Sequence, residues 1–272
     1  MTHEADAVEP DATPGYPGGV VRPRSESAES GHPESLSAER EDDDSAAAAH
    51  LVAATVVLLR DGALGLEVLL LERPRDRGSF AGAWVFPGGR MDEGDHRPGD
   101  PAEIGEEELA RRAGVRETRE ETALLVDADS VVTTAVWSPP AAAPKRFRTW
   151  FYWAAAPAGE VVLSADEIID SAWLRPARAL ELHAAGTLLL VPPTWVTLQA
   201  LTAFATAEAA LTEARNTAVQ HYATRIAAPS RGSVLLWNGD VAYADDALFE
   251  ADGGRHRLDY GALPWRYTQR GR

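Results

Sequence analysis

The sequence predicts a mixed α/β fold, and three observations predict it. Apolar, β-branched runs come in pairs around short turns, a long helical segment follows them, and strands and helices then alternate toward the C-terminus. The first pair covers 51–74, where "LVAATVVLLR", a "DGALGL" turn and "EVLLLERP" read as a hairpin. "RDRGSFAG" is a loop, and "AWVFPGGR" is a short strand entering a Gly-rich turn. From about Pro101 to Ala123 the chain reads as helix, acidic at its start, with Ile104, Leu109 and Val115 as scattered apolar positions. "SVVTTAVWSPP" and "RFRTWFYWAAAP" are two further strands, and "DSAWLRP" a short one followed by a helix around 176–185. Residues 192–226 read as one long helical region opened by two prolines, with "SVLLWNGDVAYADD" and "GRHRLDY" as late β-structure.

Composition narrows the function classes. The 272 residues, 45% hydrophobic and 25% charged, can bury the core of a soluble globular protein. Of the formal charge of −16, residues 1–50 hold −9, from twelve acids against three bases. That balance argues against nucleic acid and anionic membrane as partners and fits a protein that recruits cations. Residues 1–48 have almost no large apolar side chains, so a disordered acidic tail is expected there, with the folded domain and its C-terminal helical and β extension over 49–272. The absence of cysteine excludes disulfides, thiolate zinc sites and a cysteine nucleophile. The acidic N-terminus does not read as a secretory signal and no apolar run approaches the ~18–20 residues of a span, which makes a cytoplasmic location the default expectation. Lys145 is the one lysine, so no P-loop is present, and neither G-x-S-x-G, H-E-x-x-H nor G-x-G-x-x-G occurs. The seven histidines are scattered and read as surface or core residues.

The stretch "RETREETAL" (116–124) carries the chemistry. On a helix, Glu117, Glu120 and Glu121 fall within about a third of the circumference. Like charges at i,i+3 and i,i+4 each cost roughly 0.2–0.5 kcal/mol, and the last turns of a helix disfavour anions. By itself such a run is an ordinary solvated face. Three carboxylates on one face also suit a hard divalent cation, Mg²⁺ or Mn²⁺. Arg116 can pair with Glu120 at i,i+4 and fix a carboxylate's rotamer. Upstream, Gly88–Gly89 in "FPGGRMDEGD" permits a tight turn and close approach of backbone to a ligand.

Taken together the two pieces resemble the Nudix box, G-x5-E-x7-R-E-U-x-E-E-x-G-U, with U an apolar residue. Gly89 leads to Asp95 at the first acidic position, and Arg116 to Leu124 match the second half. Asp95 stands for Glu, Thr118 for an apolar residue, and Ala123 for the closing glycine, where a left-handed conformation costs alanine about 1–2 kcal/mol. Twenty residues (96–115) separate Asp95 from Arg116 instead of seven, an insertion that can displace Asp95 from the site. This insertion, with "WVFPGGRMD" before it and "PPTWVTLQAL" after it, resembles the branch that includes peroxisomal coenzyme A diphosphatases and bacterial relatives.

The resemblance implies a Nudix α/β/α sandwich with a mixed sheet and hydrolysis of a nucleoside diphosphate linked to another group. It implies Mg²⁺ or Mn²⁺ held by Glu117, Glu120, Glu121 and the Gly88 carbonyl, with Glu120 and Glu121 the better ligands, Glu117 completing the shell or accepting a proton from the water, and Arg116 orienting the glutamates. The partner expected is a small-molecule nucleotide diphosphate: coenzyme A or an acyl-CoA, with NADH, ADP-ribose or a nucleoside triphosphate as alternatives. A homodimer is a possible assembly. A general base from a later loop is expected, and Glu167 in "SADEIIDSAWLRP" is the candidate beside the plainer reading of a surface acid. Gly88 and Gly89 would let substrate approach the backbone. Arg146 and Arg148 in "KRFRTWFYW" could grip phosphate while the aromatics stack on a base; equally, the alternation fits a strand with one buried face. From another class, a non-catalytic nucleotide-sensing module of the same fold is disfavoured, because all three glutamates of the helical half are present.

Overall fold

A computed structural model describes residues 51–76, 80–143 and 146–271. The expected acidic tail at 1–48 and Lys145 lie outside the described residues. The predicted hairpin is β1 (Leu51–Gly62) and β2 (Gly65–Glu72), paired antiparallel through Leu59↔Val68 and Gly62↔Gly65. Beyond that register β1 and β2 part. The gap takes β3 (Trp84–Val85), which pairs with the end of β2, and β4 (Gly88–Arg90), which pairs with β1 at Thr55↔Gly88 and Ala54↔Gly89. The Gly-Gly turn is thus threaded into the sheet beside its central strand.

Helix α1 (Glu106–Thr122) begins five residues later than Pro101. Its first turn carries Glu106, Glu107 and Glu108, favourable at the positive end of the helix dipole. β5 (Val132–Ser138) and β6 (Phe147–Ala155) follow, with β6 parallel to β1 over nine residue pairs. β7 (Asp170–Leu174) pairs with β2, and α2 (Pro176–Ala184) follows as expected. Among the described residues the main sheet has eight strands, in the order β3-β2-β1-β6-β5 and then β8 (Gln220–Ala223), with β4 on β1 and β7 on β2.

Residues 192–226 do not form one helical region. They divide into α3 (Pro192–Leu201), α4 (Ala207–Asn216), β8 (Gln220–Ala223) and β9 (Arg225–Ile226). Thr206 caps α4, its side chain accepting the Ala209 N–H. β8 joins the sheet edge parallel to β5. The late β-structure is β10 (Val234–Leu236), β11 (Arg255–Asp259) and β12 (Arg266–Arg270), which with β9 form a second, antiparallel sheet.

The sheet is covered on both faces, as an α/β/α sandwich requires. Val52, Ala54, Val56 and Leu58 of β1 point to α1 with Tyr152 and Ala154, while Val57 and Leu59 point to α2–α4 with Phe151 and Trp153. The aromatic run on β6 therefore has two buried faces, where one was expected. Gly114 lets α1 settle onto β1, since a Cβ there would lie 3.0 Å from Val56 Cγ2 and 3.2 Å from the Ala54 Cβ. That close seat fixes where the C-terminal half of α1 meets the Gly-Gly turn. Thr118 and Thr122 are fully buried, with hydroxyls donating to the carbonyls of Gly114 and Thr118, so each presents its methyl to the core. Thr118 thereby serves where the pattern has an apolar residue. None of the helices among the described residues is long and apolar enough to cross a membrane.

Candidate active site

The last turns of α1 face the Gly88–Gly89 turn. Glu121, 3% exposed, accepts the Gly88 N–H through Oε2 at 2.9 Å. Gly88 has φ +152, and a Cβ on it would lie 2.2 Å from the Ala54 carbonyl oxygen, so only glycine fits this turn. Glu117 lies against the second glycine: a Cβ on Gly89 would come within 2.5 Å of both Glu117 carboxylate oxygens. Glu120 is more open, its side chain 54% exposed.

Arg116 ties Glu117 and Glu120 to Asp95. Its Nη1 donates to Glu117 Oε1 at 3.0 Å and to Glu120 Oε2 at 3.1 Å. Its Nε and Nη2 donate to the two oxygens of Asp95 at 3.0 and 3.2 Å, and Nη2 also reaches the Arg90 carbonyl at 2.9 Å. Asp95 is therefore not displaced by the insertion. It is 4% exposed and also accepts the Asp92 N–H at 2.9 Å, closing a capping box around the turn at Glu93–Asp95.

The loop after β6 brings Glu167. Val162 N–H donates to the Thr122 carbonyl, Ser164 N–H to the Glu121 carbonyl and Ile169 N–H to the Glu72 carbonyl. This main-chain stitching holds exposed Glu167 close enough for its charge to act on both Glu117 and Glu121. Burial pushes the Glu121 carboxyl up to about 8, opposed by the Gly88 N–H and by Arg73, with the charges of Glu117 and Glu167 adding to the rise. Glu117 is raised in the same direction, first by burial, against Arg116, and then by Glu120 and Glu167.

Arg73 is a site residue that sequence reasoning missed. It follows β2 directly, its charge acts on Glu121, and its Nε is buried without a hydrogen-bond partner. The readable signal was an arginine placed between the apolar run "EVLLLE" and a proline. Arg148, expected to grip phosphate, is instead committed elsewhere. Its guanidinium pairs with Glu106, whose Oε1 also accepts Trp150 Nε1–H at 2.7 Å. Glu106 and Glu117 are eleven residues apart on one helix, about 16 Å, so Arg148 braces the far end of α1. Arg146 precedes β6 at that same end.

The donor set fits a hard divalent ion of a particular kind. Among the described residues no three carboxylate or imidazole groups close around one ion. Mg²⁺-type ions need no such cage, since one or two carboxylates suffice when water and substrate phosphate complete the octahedron. Glu121 and Glu117, flanking the two glycines, would supply that number. Carboxyls whose proton affinity is raised by burial and by each other gain when a cation replaces the proton.

A family model described as NUDIX domain matches residues 49–190. Among solved structures, a NUDIX hydrolase from Alicyclobacillus acidocaldarius is 25% identical with a TM-score of 0.53, over 61% of this chain and 97% of its own. The NUDIX domain of Shewanella oneidensis NrtR, solved with ADP ribose, is 19% identical with a TM-score of 0.44, over 65% and 94%. A C. elegans Ap4A hydrolase is 22% identical with a TM-score of 0.36, over 56% and 96%. Comparison with curated proteins gives no match.

Proposed function

Because the chain belongs to the NUDIX family, we propose that it hydrolyses, with a divalent metal ion, the diphosphate linkage of a nucleoside diphosphate joined to a second group. The observation that carries this reading is the seat of buried Glu121 on the Gly88 N–H, with Glu117 beside it against Gly89. Mg²⁺ or Mn²⁺, when bound, neutralises the diphosphate and activates water toward phosphorus.

The chain's own residues do the positioning. Glu117 and Glu121 would hold the ion, with Glu120 and the Gly88 carbonyl as further oxygen donors. Arg116 fixes the rotamers of Glu117 and Glu120. Arg73, whose buried Nε has no hydrogen-bond partner, receives an anionic phosphate oxygen. The two glycines let that phosphate come against the backbone. Glu167 takes the proton of the attacking water, supported by its placement in the field of the same carboxylates.

The narrower reading takes coenzyme A or an acyl-CoA as substrate. It rests on the insertion between Asp95 and Arg116 and on the "PPTWVTLQAL" segment, which forms α3. The test is incubation with coenzyme A, an acyl-CoA, NADH, ADP-ribose and a nucleoside triphosphate, each with Mg²⁺ or Mn²⁺, and mass analysis of products. Cleavage between the two phosphates of coenzyme A into two phosphomonoesters supports the narrower reading. Cleavage of another diphosphate alone supports only the general one, and no metal-dependent turnover of any of them overturns both.

A further inference from the structure

The insertion is the feature the functional reading leaves unexplained. Thirteen additional residues between Asp95 and Arg116 ought to loosen the pairing of these two, yet the pairing is bidentate. The reason lies in a second arginine. Arg112 is one helical turn before Arg116, so both side chains project from one face of α1. Arg116 grips the Asp95 carboxylate, and Arg112 Nη1 donates to the Asp95 main-chain carbonyl at 3.2 Å. The same guanidinium makes two bonds to Asp100, at 2.6 and 3.1 Å, and a third to Glu108 at 2.9 Å.

Asp100 is itself fixed. It accepts the Arg97 N–H at 2.7 Å across the turn at 97–100. The Arg112 and Asp100 side chains are only 12% and 14% exposed, so this is no loose surface pair. Asp100, Glu108 and Arg112 all belong to the lengthened stretch 96–115 that holds the insertion. The extra residues thus fold back through Asp100 onto Arg112 and press the Asp95 turn against α1. Asp95 is one methylene shorter than the glutamate of the family pattern, and a backbone held close to the helix makes up the lost reach.

We infer that the Asp100–Arg112 pair is a positioning clamp for the metal-binding carboxylates, acting through Asp95 and Arg116 on Glu117 and Glu120. This rests on the metal-dependent reading above. Neither residue touches substrate. Their effect travels by named hydrogen bonds: Asp100 to Arg112, Arg112 to the Asp95 backbone, the Asp95 carboxylate to Arg116, and Arg116 to the two glutamates.

The test is titration of the full chain with Mn²⁺ alone, followed by electron paramagnetic resonance, with thermal melts and far-ultraviolet circular dichroism alongside. Arg112→Met and Asp100→Asn are expected to weaken Mn²⁺ binding about tenfold, the lower end of the effect of removing residues that orient ligands. Arg111→Met, which breaks pairs to Glu107 and Glu108 and a contact with the Tyr152 ring but none to Asp95 or Asp100, is expected to leave the affinity unchanged. Arg112→Lys, able to keep one of the bonds, is expected to fall between, and serves where Arg112→Met does not fold. A wild type that binds Mn²⁺ beside variants of equal affinity but lower melting temperature overturns the clamp and leaves the functional reading standing. A wild type that binds no Mn²⁺ overturns the functional reading, and the clamp with it.

Discussion

Glu121 and Gly88 meet at 2.9 Å, a buried carboxylate oxygen on a main-chain N–H, and this contact joins the two halves of the site across thirty-three residues. It sets the carboxylate of the last helical turn against a backbone bend that only glycine can make. The consequences can be measured separately.

The acid–base behaviour of Glu121 gives the first prediction. Its carboxyl is raised from about 4.5 to about 8, chiefly by burial. The folded state therefore binds the proton more tightly than the unfolded state. The stabilising contribution is complete below about pH 4.5 and is lost as pH rises through about 8. In EDTA, the melting temperature of the wild type should fall across pH 5–8 more steeply than that of Glu121→Gln. Saturating Mn²⁺ should flatten the wild-type slope. Parallel slopes for the two proteins in EDTA would refute the assignment.

Gly89→Ala separates function from folding. The added Cβ would lie 2.3 Å from the Glu117 carboxylate carbon, at the flexible end of a side chain, so Glu117 swings away while the fold yields little. Turnover should drop by at least about tenfold with a melting temperature close to wild type. Gly88→Ala, which meets the Ala54 backbone instead, should lower the melting temperature. Equal effects of the two substitutions on stability would contradict this geometry.

Ala123 ends α1 in the left-handed region, with φ 59 and its N–H donating to the Arg119 carbonyl. Ala123→Gly relieves about 1–2 kcal/mol of backbone strain and gives back roughly 0.4–1 kcal/mol through the more flexible unfolded chain. The net gain, between about 0 and 1.6 kcal/mol and centred near ~0.8 kcal/mol, should raise the melting temperature by about 2–3 °C. A decrease would show that the helix end is not strained.

Arg73→Gln should raise KM for a diphosphate substrate by about tenfold or more, the scale of a charge-assisted hydrogen bond at ~1.5–3 kcal/mol. Mn²⁺ affinity should stay within a few-fold of wild type. An unchanged KM would make Arg73 only a counter-charge to Glu121.

Much of this was legible because it is local. The two runs around "DGALGL", the Gly-Gly bend and the spacing of Glu117, Glu120 and Glu121 depend on near neighbours along the chain, and the hairpin, turn and helix all form. What failed depends on distant partners. Asp95 keeps its place because Arg112 and Asp100 fold the insertion back, which residue spacing alone does not show. Arg148 is claimed by Glu106, forty-two residues earlier. The break between α3 and α4 was readable in Thr206, a good N-cap residue, but an alanine-rich helical pattern on both sides hid it. The strand character of Gln220–Ala223 comes from parallel pairing with β5, and β12 from pairing with β11, contacts that propensity does not encode.

The central claim is that Glu117 and Glu121 hold the catalytic cation. The most direct measurement is kcat/KM for the best diphosphate substrate with Mg²⁺, for wild type beside Glu117→Gln and Glu121→Gln, each checked for an intact fold. A loss of at least ~10²-fold in each, the scale of removing a major electrostatic stabiliser, is the predicted result. Folded variants as active as wild type would contradict it.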